Sequence, residues 1–357
     1  MNKRKVKIED LPMAIIVGSP RSGTSMLRTF FDAHSQVQIP TEFPFFPFLY
    51  DVYRNKPFEE YIIDSYIARI RFTIQHQFWN INRWNIDFES LKKSLLEAGN
   101  LRFAGVCKHT VASFKSVFNK RELSLLMLKE PLYTYYLNKI NRIFPDVKVI
   151  AIERDPRAQV NSIRNFKFGS RLITANALAW RKAQQKIASF QKKNQNKTYI
   201  IKYDQLVQDP EKELTRLCEF LCIPFEKDML NYHLWKDDIL KTYGFETIGM
   251  HPSIKSTMQK PDVSKILEWK EALSKREIQL IETVNYRGMK RRGYIPQYKQ
   301  NYFLFLLYIP VYIHGLIQTF LSYMVKVLPP SRRIKIIFSP SLFERTYGRI
   351  FGKKTRK

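Results

Sequence analysis

The first periodic feature of the chain is a short apolar run, Ala14–Val17, followed by a turn-rich segment and an amphipathic stretch. An apolar run bounded by turn residues predicts a buried strand. The segment Gly18–Gly23 contains a proline and an arginine between its glycines, and Thr24 or Ser25 can cap a helix. Where a strand, a glycine-bounded loop and a helix N-terminus follow one another, backbone N–H groups and the helix dipole attract an anion. The pattern therefore predicts a phosphate-type binding site at residues 18–25.

Apolar runs alternate with amphipathic stretches again after residue 124. The strands predicted there are Leu125–Pro131, Val147–Ile152 and Tyr199–Tyr203, and the helices are Thr134–Ile143, one starting near Ala158, Asn176–Phe190 and Glu211–Leu221. This alternation predicts an α/β fold, a parallel sheet flanked by helices. Ligands of such sheets bind at the carboxyl ends of the strands. The loop at residues 18–23, Lys129 and Arg154 are all expected at such ends.

The remaining segments of residues 1–297 are expected to belong to this same single domain, as insertions and connections between its strands and helices. Residues 51–124 read mainly as helices, with a β-rich piece near Phe103–Cys107, and we interpret them as a helical insertion or lid over the site. Prolines and glycines predict irregular structure over residues 224–265. A last helix is expected at about Glu268–Arg287.

Residues 298–357 form an apolar and basic extension. Tyr302–Val325 contains 24 residues without a formal charge, which is long enough to span a bilayer, although Pro310 and Gly315 interrupt it. A spanning helix, an interfacial or re-entrant hairpin and a soluble docking helix all remain open. Residues 327–357 carry nine Lys or Arg against one acidic residue. Such a tail suits an anionic membrane surface, so residues 302–357 predict a membrane-associating segment.

Composition limits the class of protein. The chain has 357 residues and a net charge of +28, which predicts an anionic partner. No recognition motif accompanies the charge, so nucleic acid is not the expected partner. The three cysteines, Cys107, Cys218 and Cys222, form no disulfide framework, and we expect buried thiols in a reducing cytoplasm. The apolar run after the basic N-terminus is too short for a signal peptide, which favours a cytoplasmic protein at the cytoplasmic face of a membrane.

The loop departs from the phosphate loop of nucleotide triphosphatases. Gly18 and Gly23 have the spacing of the G-x-x-x-x-G-K-[ST] pattern and Ser25 matches its final hydroxyl, but Thr24 stands in the lysine position. The positively charged residue lies instead within the loop, at Arg21. A phosphotransferase needs the missing lysine on its β- and γ-phosphates. The loop therefore indicates a phosphate that is held and not transferred.

These motifs together resemble those of the sulfotransferases that use 3′-phosphoadenosine 5′-phosphosulfate (PAPS). Residues 20–25, Pro-Arg-Ser-Gly-Thr-Ser, look like the 5′-phosphosulfate loop, and the resemblance implies that Arg21, Ser22, Gly23, Thr24 and Ser25 bind the co-substrate without a metal. Residues 152–157 followed by Ser162 look like the 3′-phosphate motif, which implies that Arg154 and Ser162 bind the 3′-phosphate. The resemblance covers roughly residues 13–50 and 125–296.

The same resemblance assigns further roles. Lys129 matches the lysine that neutralises charge on the bridging and transferring oxygens, and Arg21 is expected to face the transferred group. Tyr203 and, with looser spacing, Lys260 match residues that help to hold PAPS, while Trp269 and Leu273 match a late W-x-x-x-L element. The motif nearest to residues 19–34 is that of tyrosylprotein sulfotransferases and their bacterial relatives. Their glutamate base falls at Glu42, and His34 is the alternative base.

The sequence thus predicts a PAPS-dependent O-sulfotransferase with a P-loop-like fold that acts on an acceptor hydroxyl. Glu42 would accept the hydroxyl proton while Arg21 and Lys129 neutralise the transferred group. The acceptor can be a glycan, a lipid-linked or a tyrosine hydroxyl, and the aromatic context of Glu42 together with the apolar extension favours the first two. The alternatives are a P-loop phosphotransferase and a basic nucleic-acid- or membrane-binding protein without catalysis.

Overall fold

The computed structural model describes residues 6–75, 86–165, 172–242, 259–329 and 332. Its centre is a parallel sheet of five strands in the order β2-β3-β1-β4-β5. The strands are β1 Met13–Gly18, β2 Val37–Gln38, β3 Leu125–Lys129, β4 Lys148–Glu153 and β5 Thr198–Lys202. The predicted α/β fold with a parallel sheet is confirmed, and β2 is an addition to the predicted strands.

Helices connect and cover these strands. They are α1 Thr24–Ala33, α2 Phe46–Tyr53, α3 Glu60–Gln75, α4 Phe88–Ala98, α5 Phe103–Ala112, α6 Leu137–Ile143, α7 Pro156–Arg164, α8 Ile173–Lys193, α9 Tyr203–Gln208, α10 Pro210–Leu221, α11 Lys236–Thr242, α12 Trp269–Ala272, α13 Lys275–Arg291 and α14 Ile309–Lys326. Short 3₁₀ segments lie at Ile8–Asp10, Pro131–Tyr135, Gln195–Lys197, Lys227–Trp235, Val263–Ile266 and Tyr302–Tyr308.

Strand β1 lies between β3 and β4, and all six of its residues are buried. Because side chains alternate along a strand, Ile15 and Val17 enter one core whereas Ala14 and Ile16 enter the other. The first core contains apolar residues of α2 to α6, and the second contains those of α1, α9 and α10. Helices on both faces leave the carboxyl ends of the strands as the edge for the site.

The segment at residues 51–124 is helical, as expected, apart from one error. Phe103–Cys107, predicted as β-rich, lies in α5. Its buried residues follow a helical spacing, because Phe103, Val106, Cys107 and Val111 all pack into the first core. The helices of this segment share that core with the sheet, and their role as a lid stays a prediction.

Three segments have helix boundaries that differ from the sequence prediction. The helix expected at Thr134–Ile143 is a 3₁₀ turn followed by α6, with Tyr136 between them. The helix expected at Glu268–Arg287 is divided at Leu273, because Ser274 caps α13 through a reciprocal box with Glu277. Residues 224–265, expected to be irregular, contain the 3₁₀ segment Lys227–Trp235 and α11, while residues 243–258 lie outside the described part.

Two of the three cysteines are buried, as expected for Cys107 and Cys218. Cys222 is the C-cap of α10 and is exposed, with a left-handed backbone at φ 63°. The predicted burial of Cys222 is therefore wrong, because the helix ends at Leu221 and leaves its capping residue open to solvent.

The extension begins with the 3₁₀ segment at Tyr302–Tyr308 and continues as α14. Tyr308 is buried, and its hydroxyl donates to the backbone oxygen of Leu280 at 2.7 Å. Within the described ranges, no helix is both long and apolar enough to cross a membrane. The basic residues beyond 332 lie outside the described part of the chain.

Candidate active site

The loop between β1 and α1 begins and ends at glycines whose surroundings exclude a side chain. A Cβ on Gly18 would lie 2.6 Å from the backbone oxygen of Ile152, and one on Gly23 would lie 2.6 Å from Cδ2 of Tyr203. Gly23 has φ 104° and is the N-cap of α1. The backbone of the loop therefore passes directly over the ends of β4 and β5, and the backbone N–H groups at the start of α1 are of the kind that can bind an anion.

Three side chains from other elements hold carbonyl groups of this loop. The Thr134 hydroxyl accepts from the Gly18 N–H at 3.0 Å and donates to the Gly18 oxygen at 3.1 Å. Gln159 donates to the Pro20 oxygen at 2.7 Å, and Arg154 Nη1 donates to the Arg21 oxygen at 3.2 Å. These contacts direct the carbonyl groups of the loop to neighbouring elements, which leaves the N–H groups at the start of α1 as its candidate donors to an anion.

Arg21 connects the loop with the second basic motif. Its backbone has φ 68°, and its Nε donates to Oγ of Ser162 on α7 at 3.0 Å. Burial lowers the pKa of Arg21, and the neighbouring positive charge of Arg154 lowers it further. The structure thus places Arg21 beside the predicted 3′-phosphate residue Ser162, a contact that the sequence did not predict.

Arg154 lies at the carboxyl end of β4, against the ring of Tyr203 at 4.1 Å. Its Nη2 donates to the Lys265 oxygen at 2.7 Å. The carboxylate of the next residue, Asp155, pairs with Arg157 at 2.6 Å. Arg157 also pairs with Glu282 and stacks on Trp269 at 4.0 Å, so the W-x-x-x-L element supports this buried network.

Lys129 is the centre of a polar cluster at the end of β3. The side chain is buried, and its Nζ donates to Ser25 Oγ at 2.8 Å and to the Glu42 carboxylate. Glu42 is 45% exposed at its side chain, so it lies between the buried lysine and solvent. Lys129, the predicted charge-neutralising residue, is therefore in direct contact with the predicted base Glu42 and with Ser25 at the start of α1.

Glu130 is a site residue to which the sequence reasoning gave no role. It is buried, and its carboxylate accepts from the Leu132 N–H at 2.9 Å. Burial, with the nearby negative charge of Glu42, raises the pKa of Glu130 to about 8. The sequence feature that could have identified Glu130 is its position directly after a buried strand and beside a lysine. Its protonated form removes one negative charge from the cluster around Lys129 near neutral pH.

Buried polar atoms without a hydrogen-bond partner in the described ranges include Ser22 Oγ and Arg154 Nε at the site, together with Ser19 Oγ of the loop and Gln159 Oε1 beside it. The two that bear on a ligand most directly are Ser22 Oγ and Arg154 Nε. Both are buried, and an unsatisfied buried donor is costly. Each belongs to one of the two basic motifs. Phosphate oxygens accept strong hydrogen bonds from such donors. The residues present therefore fit a ligand with two phosphate groups.

The other predicted residues are placed less centrally. Thr24 is buried as the first residue of α1, whereas Lys260 is exposed and its role stays a prediction. His34 is fully buried, with Nε2 2.8 Å from the Pro224 oxygen and Nδ1 accepting from the Gln36 N–H at 3.1 Å. Both ring nitrogens are thus engaged away from the loop, which makes His34 unsuited as the alternative base.

The chain is similar to proteins of known class. The model of a family described as "Sulfotransferase family" matches residues 12–227. Protein-tyrosine sulfotransferase 1 of Danio rerio is 24% identical over 73% of this chain and 66% of its own length. Protein-tyrosine sulfotransferase A of Caenorhabditis elegans is 27% identical over 62% of this chain and 52% of its own length. The chain thus spans about half to two thirds of the length of these relatives.

Solved structures agree on the fold. A sulfotransferase domain from the curacin biosynthetic pathway covers 80% of this chain and 99% of its own, with 20% identity and a TM-score of 0.54. The sulfotransferase domain of the Synechococcus PCC 7002 olefin synthase has the same coverage, with 22% identity and a TM-score of 0.51. The matched family region contains β1 to β5, the loop, Glu42, Lys129 and Arg154, and on this ground the chain belongs to the sulfotransferase family.

Proposed function

We propose that the protein transfers the sulfuryl group of PAPS to an acceptor hydroxyl. The observation that carries this proposal is the junction of the two basic motifs. Arg21 of the loop donates to Ser162, and Arg154 donates to the backbone oxygen of Arg21. One site therefore offers donors for two separate phosphates. PAPS carries a 5′-phosphosulfate and a 3′-phosphate, which distinguishes it from nucleoside triphosphates.

The binding roles follow from these positions. Backbone N–H groups of residues 23–25 and the Ser22 hydroxyl would hold the 5′-phosphate at the start of α1, since the Ser22 N–H itself donates to the Ser19 oxygen. Arg154 and Ser162 would hold the 3′-phosphate, with Arg21 between the two phosphates. The ring of Tyr203, held under Arg154, supports both motifs because it also contacts the position of Gly23.

The reaction would proceed by in-line transfer. The acceptor oxygen forms a bond to sulfur while the bond from sulfur to the bridging phosphate oxygen breaks, and 3′,5′-ADP leaves. Glu42 takes the proton of the acceptor hydroxyl, since its half-exposed carboxylate faces the side from which an acceptor can enter. Lys129 neutralises the charge that develops on the bridging oxygen, and its contacts with Ser25 and Glu42 hold it there.

The acceptor is proposed only as a hydroxyl. The aromatic context of Glu42 suggested a lipid-linked or glycan acceptor, but Phe43, Phe45 and Phe46 are buried in the first core, where the ring of Phe43 makes edge-to-face contacts with the other two. These rings therefore stabilise the fold and give no support to an apolar acceptor. The two curated relatives are protein-tyrosine sulfotransferases, so a tyrosine hydroxyl is the first acceptor to test, followed by glycan and lipid-linked hydroxyls.

The first experiment measures retention on immobilised 3′,5′-ADP. We expect the wild-type protein to be retained without Mg²⁺ and the Arg154→Ala variant to be lost from the column. Arg71→Ala is the matched control, because Arg71 is an exposed arginine on α3 that pairs with Glu89. A wild-type protein that ignores 3′,5′-ADP and turns over ATP with Mg²⁺ would instead be a phosphotransferase. Binding of nucleic acid alone would indicate the non-catalytic alternative.

The second experiment tests Glu42 as the base. In the Glu42→Gln variant, retention on 3′,5′-ADP should persist while transfer of labelled sulfur from PAPS to a panel of acceptors falls about 10²–10⁴-fold. The amide keeps the shape of the side chain but cannot accept the proton. Normal turnover in this variant would remove Glu42 from the mechanism and leave the binding assignment intact.

A further inference from the structure

The C-terminal helix α14 presents an apolar face to solvent. Its exposed large apolar residues are Ile309, Tyr312, Ile313, Leu316, Ile317, Phe320 and Met324. Leu316 is 70% exposed and Phe320 is 66% exposed. At 100° per residue these positions fall within an arc of about 140°. The helix therefore carries a continuous apolar stripe on the outside of the protein.

The extension is fixed to the domain at its beginning. Tyr308 packs into a core with Ile281 and Val284 of α13, and its hydroxyl donates to the Leu280 oxygen. Tyr302 and Phe303, at the start of the preceding 3₁₀ segment, are 70% and 83% exposed. The anchored residues therefore hold an outward-facing surface that begins with aromatic rings and continues along α14.

The charge that follows α14 in the sequence indicates what covers its apolar face. Residues 327–357 carry nine Lys or Arg and a single acidic residue, Glu344. The last residue of α14 itself is a further lysine, Lys326. An apolar helix face that continues in sequence into a strongly basic segment matches a lipid surface with anionic headgroups better than another protein surface, because such a lipid surface offers both an apolar interior and negative charge.

We propose that α14 lies in the plane of an anionic membrane surface. Its apolar stripe would enter the boundary between headgroups and acyl chains, and the basic residues that follow would bind the headgroups. A helix of 18 residues extends over about 27 Å, which is enough to lie along the surface. This inference is independent of the chemistry proposed for the site, because α14 contributes none of the site residues.

The experiment uses the full chain and sedimentation with sucrose-loaded vesicles. Vesicles of phosphatidylcholine alone are compared with vesicles in which roughly one third of the lipid is phosphatidylglycerol. The wild-type protein should bind the anionic vesicles at least about tenfold more tightly than the neutral ones, and salt should weaken this binding. Equal binding to both vesicles, or none to the anionic vesicles, would overturn the proposal.

Two variants test the apolar stripe. The double variant Leu316→Asp with Phe320→Asp should reduce binding to anionic vesicles at least about tenfold. Tyr61→Asp is the control, because Tyr61 is 67% exposed on α3, away from the extension. Retention on 3′,5′-ADP reports whether each variant is folded. If the double variant instead converts a dimer to a monomer without changing vesicle binding, a second copy covers this face and the proposal is wrong.

Discussion

Replacing Gly23 with alanine tests the packing of the loop over the sheet. Gly23 has φ 104°, a conformation that residues with a side chain rarely adopt. An added Cβ would lie 2.6 Å from Cδ2 of Tyr203 and 3.1 Å from Cδ1 of Ile152. Both neighbours are buried, so neither can move away without disturbing the second core. The substitution therefore combines backbone strain with steric overlap.

The magnitude follows from these two effects. The left-handed backbone costs about 1–2 kcal/mol for a residue with a Cβ. Overpacking of a buried position costs about 1–3 kcal/mol. Together they predict a loss of about 2–5 kcal/mol in the free energy of unfolding, which lowers the Tm of a chain of 357 residues by about 3–7 °C.

Gly293→Ala is the matched control. Gly293 has φ 74°, and an added Cβ would meet only the flexible end of the Lys202 side chain, whose Nζ would lie 3.1 Å away, so chiefly the backbone cost of about 1–2 kcal/mol applies. Its Tm should fall by only about 1–3 °C. Thermal unfolding of both variants, followed by circular dichroism, measures the difference.

A double-mutant cycle separates strain from overlap. In a Tyr203→Ala background the ring that meets the new Cβ is absent, so Gly23→Ala should cost about 1–3 kcal/mol less than in the wild type. The proposed overlap is refuted if Gly23→Ala and Gly293→Ala lower the Tm equally, or if removal of the Tyr203 ring leaves the cost of Gly23→Ala unchanged.

Three further predictions concern the polar groups of the site. Thr134→Val removes both hydrogen bonds to Gly18 and should weaken 3′,5′-ADP binding about tenfold in calorimetry. Thr215→Val, which removes an exposed hydroxyl contact on α10, should leave this binding unchanged, and equal effects would contradict a positioning role for Thr134. The pKa of Glu130 is about 8 in the native state, above its ordinary value of 4.5, so the native state binds this proton more tightly than the unfolded chain does. The free energy of unfolding therefore falls as the pH rises through that interval. The Tm of Glu130→Gln should therefore increasingly exceed that of the wild type between pH 5 and about 9, and parallel curves would refute this. Lys129→Ala should lower sulfuryl transfer about 10²–10³-fold while 3′,5′-ADP binding persists, and an equal loss of both would show that Lys129 only binds the nucleotide.

The sequence predicted the parts of the fold that depend on local pattern. The apolar run at Ala14–Val17 and the glycines on either side of the loop identify β1 and the start of α1, because burial and a tight turn each require particular residue types. Lys129 and Arg154 follow apolar runs, and parallel strands bring such positions to one edge. Their location near the loop was therefore predictable before any contact was known.

Contacts between distant side chains were not predictable. The bond from Arg21 to Ser162 depends on how α7 packs against the loop, which the residue types alone do not specify. The raised pKa of Glu130 arises from burial and from the charge of Glu42, both of which are properties of the folded chain. For the same reason the prediction of β-rich structure at Phe103–Cys107 is wrong, since β-forming residues there are held in a helix by tertiary packing.

A calorimetric comparison of three nucleotides with the wild-type protein tests the two-phosphate site most directly. We predict that 3′,5′-ADP binds without Mg²⁺ and about 10–100-fold more tightly than 5′-AMP, because Arg154 and Ser162 recognise the 3′-phosphate. ATP with Mg²⁺ should bind no better than 5′-AMP. Equal affinity for 3′,5′-ADP and 5′-AMP, or preferential binding of ATP with Mg²⁺, would contradict the proposed recognition of PAPS.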